Sequence, residues 1–271
     1  MIRFNGNECG LCLLDTNAVS EMVKHPDREL HHYFEWASTE APGFVPALTI
    51  FNLVELRHRP ALYEEFLQVF DQLPCVFVMV YQQLVEEEVR AYPTPEGINP
   101  LTYVHSGAHA SQSLGGLLDS VFNAETRGNE ERWNSERAAV VEDIRALVAN
   151  FPDTGKVRDF LEVTVPQVVE ALQPEFTENL HNSGNRMDID SFPSVKAIGF
   201  AVWHKYYADR RRAPSDSDTF DLIISSAAPY SDAIVTERNL AEGLRQTMRR
   251  DDFMRGLRVY TVADFVNGPP S

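Results

Sequence analysis

Five acidic residues spread along the chain are candidates for a shared cation site. They are Asp15, Glu55, Asp218, Asp221 and Asp232. Aspartate and glutamate oxygens are the hard ligands that Mg²⁺ and Mn²⁺ prefer in proteins. Such ions stabilise charge on phosphate oxygens and acidify a water molecule, and hydrolysis of a phosphodiester requires both effects. The residue types therefore point to metal-dependent phosphodiester hydrolysis, with Mg²⁺ or Mn²⁺ as the cofactor.

The expected secondary structure places these acids at strand ends and helix starts. Asp15 ends an apolar run of strand length, and open α/β sheets bind ligands at the carboxyl ends of their strands. Glu55 lies about two turns into a helix that Thr49 is expected to cap. Asp218 and Asp221 are three residues apart at another helix start, so they share a face. An acid at such a position can also serve only as a cap or remain solvated, and that alternative stays open for Asp218 and still more for Glu237.

The order of apolar and amphipathic segments predicts an α/β fold with a central parallel sheet. Strands and helices alternate over the first eighty or so residues, and residues 75–81 form the fully apolar run of a buried parallel strand. The alternation returns near the end, where strands are expected at 233–236 and 257–262. The two outer parts, 1–81 and 194–271, are therefore expected to build one sheet.

The middle of the chain, residues 82–193, has a different pattern. Residues 92–116 are rich in proline, glycine, serine and threonine and are expected to form a loop. Later segments have helical patterns, and Pro166 is expected to interrupt one of them. We therefore expect a mostly helical insertion or subdomain between the two parts of the sheet domain.

The hydrophobic fraction of the sequence suits a folded protein, but its net charge disfavours a negatively charged substrate. Of the 271 residues, 44% are hydrophobic, which is enough for a sizeable core. The sequence has no apolar run of roughly 18 residues and no secretory pattern at its start, so we expect a cytoplasmic protein without membrane contact. A net charge of −16 should repel a polyanion.

Local arginine clusters could contact phosphates despite the net charge. Two groups suit that role, Arg210, Arg211 and Arg212 near the acidic segment, and Arg245, Arg249 and Arg250 further on. A solvated helix end is an equal alternative for either group.

The cysteines and histidines give weaker signals. The three cysteines are too few and too scattered for a disulfide framework, which favours a reducing compartment. Cys9 and Cys12 have CxxC spacing, but no second pair completes a zinc site, and Cys12 is expected to pack as a small apolar residue. His105 and His109 could share a metal only if their segment were helical, which Gly107 disfavours.

Four segments resemble the motifs of PIN-domain ribonucleases, a family that includes the VapC-type toxins. They are residues 13–21 (LLDTNAVSE), 49–56, 220–224 and 230–239 (YSDAIVTERN). The resemblance covers roughly residues 10–80 and 194–265 and leaves the middle unexplained. It implies a PIN-like three-layer fold with a central parallel sheet and metal-dependent cleavage of RNA.

The resemblance also implies roles for individual residues. Asp15, Glu55 and Asp221 match the three core acids of the family. Asp232 and Glu237 compete for the fourth acidic position, and Asp218 is a further candidate ligand. Three neighbours, Asn17, Thr49 and Thr236, are expected to support the carboxylates rather than bind metal. Replacing Asp15 by asparagine is expected to abolish cleavage and leave the fold intact.

Other functions remain open at this stage. A non-catalytic PIN-like module could bind RNA or protein, and a toxin would have an antitoxin-like partner whose arginine enters the acidic cleft. A homodimer is also open, and DNA is not excluded as the substrate. An aspartyl phosphatase or receiver domain would need a lysine after a later strand, whereas Lys196 and Lys205 fall inside a helical pattern.

Overall fold

The computed structural model describes residues 2–4, 7–40, 43–122, 141–147, 149–151, 155–207 and 218–267. Over this part of the chain, seven strands form one mixed sheet. In chain order the strands are β1 Ile2–Phe4, β2 Asn7–Leu14, β3 Gly43–Thr49, β4 Pro74–Val78, β5 Leu101–Ser106, β6 Ala233–Thr236 and β7 Arg258–Thr261. The α/β class expected from the sequence is confirmed.

The order of the strands reverses at the centre of the sheet, which leaves a crevice there. Five strands run parallel in the order β4-β3-β2-β6-β7, while β5 pairs antiparallel with β4 and β1 pairs antiparallel with the start of β2. The chain adds β3 and β4 on one side of β2 and then returns to add β6 and β7 on the other. This reversal makes the carboxyl end of β2 a switch point, where α/β sheets commonly bind ligands.

Helices connect the strands. They are α1 Thr16–Lys24, α2 His31–Thr39, α3 Ile50–Arg57, α4 Pro60–Phe70, α5 Tyr81–Ala91, α6 Leu114–Val121, α7 Val157–Leu172, α8 Pro174–Asn182, α9 Pro193–Val202, α10 Asp218–Ser225 and α11 Arg238–Met248. Residues 141–147 and 149–150 are also helical, and Pro26–Leu30 and Trp203–Tyr207 form π-helical turns. None of the described helices is long and apolar enough to cross a membrane.

The main core surrounds the central strands. Leu13 and Leu14 of β2 are both 0% exposed, as are Ile234 and Val235 of β6. Consecutive residues of a strand point to opposite faces of the sheet, so burial of both neighbours means that both faces are covered. The run expected as a buried parallel strand, residues 75–81, is shorter than expected, because β4 ends at Val78 and α5 begins at Tyr81, but its residues Cys75 and Val76 are fully buried.

The middle segment is more closely joined to the sheet than its sequence indicated. Residues 101–106, expected to lie in a loop, form β5 and pair with β4, so that expectation was wrong. The helices of this segment bury Val85 and Leu161 in a second hydrophobic cluster that also contains Val195 and Phe200 of α9. The helical insertion thus shares its core with the second part of the sheet domain.

Pro166 does not interrupt its helix, contrary to the expectation. Helix α7 continues from Val157 to Leu172 with Pro166 inside it. A proline in a helix leaves the carbonyl four residues earlier without its amide donor. That carbonyl belongs to Glu162, an exposed residue, so water can replace the missing donor. The helix therefore tolerates the proline on its solvent side.

Candidate functional site

The site is centred on Asp15, which lies at the switch point of the sheet. The parallel register places Asp15 beside Thr49 of β3 on one side and Thr236 of β6 on the other. The amide of Asp15 donates to the carbonyl of Val235 at 3.1 Å, which extends the β2–β6 ladder by one residue. The end of the ladder therefore fixes the backbone of Asp15.

The carboxylate of Asp15 is fully buried and accepts three hydrogen bonds. Its Oδ1 accepts from the amide of Ala18 at 2.6 Å, and its Oδ2 accepts from the amide of Glu237 at 2.9 Å and from the hydroxyl of Thr236. Ala18 lies in the first turn of α1, and Glu237 is the N-cap of α11. Two helix N-termini, which favour negative charge, thus meet at one carboxylate.

Burial dominates the titration of Asp15 despite these donors. Removal from water raises the pKa of Asp15 to about 6, while the hydrogen bonds from Thr236, Ala18 and Glu237 oppose the rise. The negative charge of Glu237 adds to the increase. The ionised form of Asp15 would therefore be stabilised by a nearby cation.

Lys205 supplies a positive charge between two further acids. Its Nζ lies 3.4 Å from Oδ2 of Asp221 and 3.9 Å from Oε1 of Glu237. The side chain of Lys205 is 8% exposed, and those of Asp221 and Glu237 are 14% and 27% exposed. The π-helical turn Trp203–Tyr207 carries the lysine, and α10 carries Asp221. Elements that are separate in sequence therefore converge at this ion pair.

Burial and neighbouring negative charge both raise the pKa of Asp221. Burial raises this pKa to about 6, and Lys205 lowers it without cancelling the rise. The charges of Asp15 and Glu237 both raise it further. Lys205 contacts both Asp221 and Glu237, and the amide of Glu237 donates to Asp15, so the three acids lie in one pocket.

Asn52 connects helix α3 to the end of β2. Its Oδ1 accepts from the amide and the hydroxyl of Thr49, at 2.6 and 2.9 Å, in a capping box. Its Nδ2 donates to the carbonyl of Leu14 at 3.0 Å and to the hydroxyl of Thr16 at 3.3 Å. Asn52 thereby sets the position of α3, which carries Glu55, relative to Asp15.

Glu55 lies on the side of α3 that faces the helix of Asp221. It follows Asn52 by three residues and Phe51 by four, so all three share a face. The ring of Phe51 packs on Phe220 at a centroid distance of 5.3 Å, and Phe220 directly precedes Asp221. Oε2 of Glu55 is buried from solvent. The helix of Glu55 thus packs against the helix of Asp221, and the grouping of Glu55 with Asp15 and Asp221 stays a prediction.

Asp232 does not join this group. It precedes β6, and its Oδ2 accepts from the amide of Leu11 at 2.8 Å, at the opposite end of the strand from Thr236. Four residues of strand separate the two ends by about 13 Å. Glu237, which follows the strand, is therefore the acid that lies beside Asp15. The expectation that Asp232 belongs to the site was wrong, because the carboxyl end of β6, and not its amino end, faces the crevice.

The other residues expected in the site either lie outside the described part of the chain or are exposed. The side chain of Asp218 and residues Arg210, Arg211 and Arg212 lie outside the described residues. Asn17 is exposed, in contrast to the buried Thr49 and Thr236.

The weaker metal candidates do not form sites. Cys9 and Cys12 are free cysteines three residues apart on β2, so they point to opposite faces of the sheet. His105 is buried on β5, with its Nε2 3.0 Å from the carbonyl of Asp71, while His109 is exposed on a short 3₁₀ turn. The expectation that Cys12 packs as an apolar residue is confirmed by its complete burial.

A basic surface cavity lies at the far end of α11. Its volume is about 270 Å³, and Arg245, Met248, Arg249 and Val259 line it. Arg245 donates to the carbonyl of Val259 at 2.9 Å, which fixes the guanidinium beside the cavity. Helix α11 begins directly after Glu237, so the two arginines lie about 12–18 Å along the helix from the acidic pocket. Two of the three arginines expected to form the second basic patch thus border one cavity.

Lys205 and Asn52 are the two residues of the site that the sequence did not identify. Asn52 had a local signal, since it lies three residues after the capping Thr49, where a side chain can complete a capping box. Lys205 had none. It is one lysine in a helical pattern. Only the packing of its π-helical turn against α11, together with its ion pair to Asp221, brings it to the acids.

The donor set of the pocket suits a hard divalent cation. Asp15, Glu55, Asp221 and Glu237 offer only carboxylate oxygens, and the ammonium group of Lys205 shows that a cation is accommodated beside two of them. Among the residues that the structure describes, no three or more His, Cys, Asp or Glu side chains are arranged to hold a metal ion as they stand. A divalent ion would therefore need the carboxylates to draw closer together.

Comparisons of the chain with protein-family models, with curated proteins and with solved structures find no match. Support for a function therefore comes from the residues and geometry of the chain itself.

Proposed function

We propose that the protein is a metal-dependent ribonuclease with a PIN-like fold, in which Mg²⁺ or Mn²⁺ is held by Asp15, Asp221 and Glu237, with Glu55 beside them. One observation carries the proposal: three acids from distant parts of the chain meet at the switch point of an α/β sheet. Buried carboxylates that repel one another are unfavourable unless a cation compensates them. The gathering of these acids thus supports a cation-binding role.

The chain's own residues would prepare and position the reacting groups. Asp15 is held by two helix N-termini, and Thr236 fixes the orientation of its carboxylate. Asn52 anchors the helix of Glu55 to the end of β2. A bound divalent cation would supply positive charge to the phosphate oxygens and would acidify the attacking water. The protein's contribution is thus a group of carboxylates held at the carboxyl end of β2, where Asp15 is fixed by its hydrogen bonds.

Binding of RNA has to overcome the net charge of −16. Positive charge near the pocket comes from Lys205, and the cavity between Arg245 and Arg249 offers guanidinium groups further along α11. Arginine forks match phosphate oxygens well. We propose that this cavity contacts the backbone of the RNA beyond the cleaved bond.

The proposal predicts that cleavage depends on the acids at the carboxyl end of β6 and not on the acid at its amino end. An end-labelled single-stranded RNA would be incubated with wild type, Asp221→Asn, Glu237→Gln and Asp232→Asn in the presence of Mn²⁺. The first two variants are expected to lose on the order of 100-fold or more in rate, as when charge stabilisation is removed from an active site. Asp232→Asn should cleave at close to the wild-type rate, because its carboxylate lies at the other end of the strand.

Asp221 is a better test than Asp15 because its replacement disturbs fewer bonds. An asparagine at position 15 would turn its amide NH₂ toward the backbone N–H of either Ala18 or Glu237, both of which now donate to the carboxylate. A donor facing a donor in a buried site costs about 1–3 kcal/mol. The earlier expectation of an intact fold in Asp15→Asn therefore needs a stability measurement beside it. Wild type that does not cleave RNA in Mn²⁺ or Mg²⁺, or Asp221→Asn that cleaves as fast as wild type, would contradict the proposal.

A non-catalytic binding module is the second candidate, and one observation favours it. Lys205 already forms ion pairs with Asp221 and Glu237, and such a pair can be purely structural. In that case the pocket would bind no Mn²⁺, and Asp221→Asn would change stability alone. The cleavage experiment and a metal titration together separate the two candidates.

A further inference from the structure

We propose that Lys205 is a resident counter-cation that must leave the carboxylate pocket when a divalent ion binds, and that it thereby sets the metal affinity of the protein. This inference rests on the proposed function, because it concerns the same pocket. It adds a residue that none of the sequence motifs contains. It also explains how the acids can lie together in the absence of metal.

The contacts of Lys205 place its ammonium group where a bound cation would lie. The Nζ atom is 3.4 Å from Asp221 and 3.9 Å from Glu237, and the side chain is only 8% exposed. These distances allow ionic attraction but exceed those of good charge-assisted hydrogen bonds, which are about 2.7–2.9 Å. The charge of the two acids therefore helps to hold the ammonium group beside them, and Nζ donates a long hydrogen bond to Asp221.

A divalent ion and the ammonium group cannot share this position. Mg²⁺ binds carboxylate oxygens at about 2.0–2.1 Å, much closer than the lysine approaches either acid. Two carboxylate oxygens bound to one such ion would have to move toward each other, into the space that Nζ of Lys205 now occupies. The positive charges would also repel each other strongly in a poorly solvated pocket. Metal binding therefore requires Lys205 to withdraw.

The local structure permits that withdrawal. A lysine side chain has a flexible four-carbon stem, so its ammonium can swing away without a backbone movement. The π-helical turn is anchored by the buried ring of Trp203, which packs on Phe160 of α7 at a centroid distance of 5.4 Å. Single-turn π-helices occur often at functional sites, where they reorient one side chain. The turn can thus remain in place while the charge of Lys205 moves.

The test compares Mn²⁺ affinity among variants at position 205. Isothermal titration of Mn²⁺ into the full chain at neutral pH would be carried out for wild type, Lys205→Met, Lys205→Gln and Lys205→Arg. Removal of the competing charge should tighten Mn²⁺ binding by about tenfold or more in the methionine and glutamine variants, comparable to the coupling of close charge pairs. The arginine variant retains the charge and should bind no more tightly than wild type. Lys156→Met, which removes an exposed lysine, should leave the affinity unchanged.

A thermal unfolding measurement tests the same effect if a variant without Lys205 is too unstable for titration. The increase in melting temperature on addition of Mn²⁺ should be larger for Lys205→Met and Lys205→Gln than for wild type, because a tighter ligand stabilises the folded state more. Unchanged or weaker Mn²⁺ binding in both neutral variants would overturn the role of Lys205 while leaving the proposed function standing. If the neutral variants bind Mn²⁺ and wild type does not, the inference holds and the metal-dependent function fails. If no variant binds Mn²⁺, both fail.

Discussion

Glu88 is a fully buried acid that lies away from the candidate site. It is 0% exposed, and its carboxyl group accepts from the amide and hydroxyl of Ser194, both at 2.7 Å, and from the hydroxyl of Tyr230 at 2.6 Å. These bonds connect α5 to the start of α9 and to the segment before β6. Burial raises the pKa of Glu88 to about 7, although all three bonds lower it. Burial thus makes ionisation of Glu88 unfavourable in the folded protein, although its three hydrogen bonds favour the charged form.

The titration of Glu88 predicts a pH dependence of stability. The folded state holds the proton more tightly than the unfolded state, whose glutamate titrates near pH 4.3. The stabilisation is therefore complete below that pH and is lost as the pH rises through about 7. Glu88→Gln keeps the shape and neutral hydrogen bonding of the protonated acid. Relative to wild type, we expect this variant to gain on the order of 3 kcal/mol in unfolding free energy between pH 5 and pH 8.

Urea unfolding at several pH values would measure this difference. Asp15 and Asp221, whose pKa values are also raised, contribute the same trend to both proteins and cancel in the comparison. Glu86→Gln is the matched control, since Glu86 lies on the same helix with its side chain 48% exposed. Parallel stability curves for Glu88→Gln and wild type would show that Glu88 is ionised at no cost in the folded protein.

At the scale of elements, the junction between β2 and α3 depends on one amide side chain. Asn52 uses its oxygen to cap α3 and its nitrogen to hold the carbonyl of Leu14, and it is 0% exposed. Asn52→Asp would place a carboxylate oxygen against that carbonyl and a buried charge near Asp15. We expect a loss of about 2–4 kcal/mol in unfolding free energy at pH 7.

The control for this variant is Asn182→Asp, an exposed substitution at the end of α8 that should change stability by less than about 0.5 kcal/mol. Urea midpoints of the two variants measured side by side would give the comparison. Equal midpoints would mean that the connection between α3 and β2 is not set by Asn52.

The elements around the site could largely be predicted because their signals are local. Thr49 caps α3 as expected, β6 covers residues 233–236 as expected, and α1 begins directly after Asp15. Strand β5 could not be predicted, since residues 102–104 are exposed and its apolar pattern is correspondingly weak. Its structure comes from pairing with β4, which the sequence around β5 does not reveal.

The composition of the site was only partly predictable for the same reason. Asp15, Glu55 and Asp221 have local positions that indicate chemistry, at a strand end and on capped or short helices. The choice between Asp232 and Glu237 depends on the direction in which β6 runs beside β2. A parallel arrangement puts the residue after β6, and not the one before it, level with Asp15. That is a property of the sheet, so single segments left both acids open.

At the scale of the whole molecule, the topology explains why acids far apart in sequence can cooperate. The chain leaves β2, builds one half of the sheet and the inserted helices, and returns to place β6 beside β2. More than two hundred residues separate Asp15 from Glu237, yet the amide of one donates to the carboxylate of the other at 2.9 Å. The inserted helices pack into the second cluster beside α9, whose following π-helical turn supplies Lys205. The middle segment therefore supports the site indirectly.

The most direct test of the proposed cation site is anomalous diffraction from crystals of the full chain soaked in Mn²⁺. The expected result is an anomalous peak within bonding distance of Asp221 and of Asp15 or Glu237, with the ammonium of Lys205 displaced from its present position. Strong peaks elsewhere, with none bonded to these three acids at saturating Mn²⁺, would contradict the account.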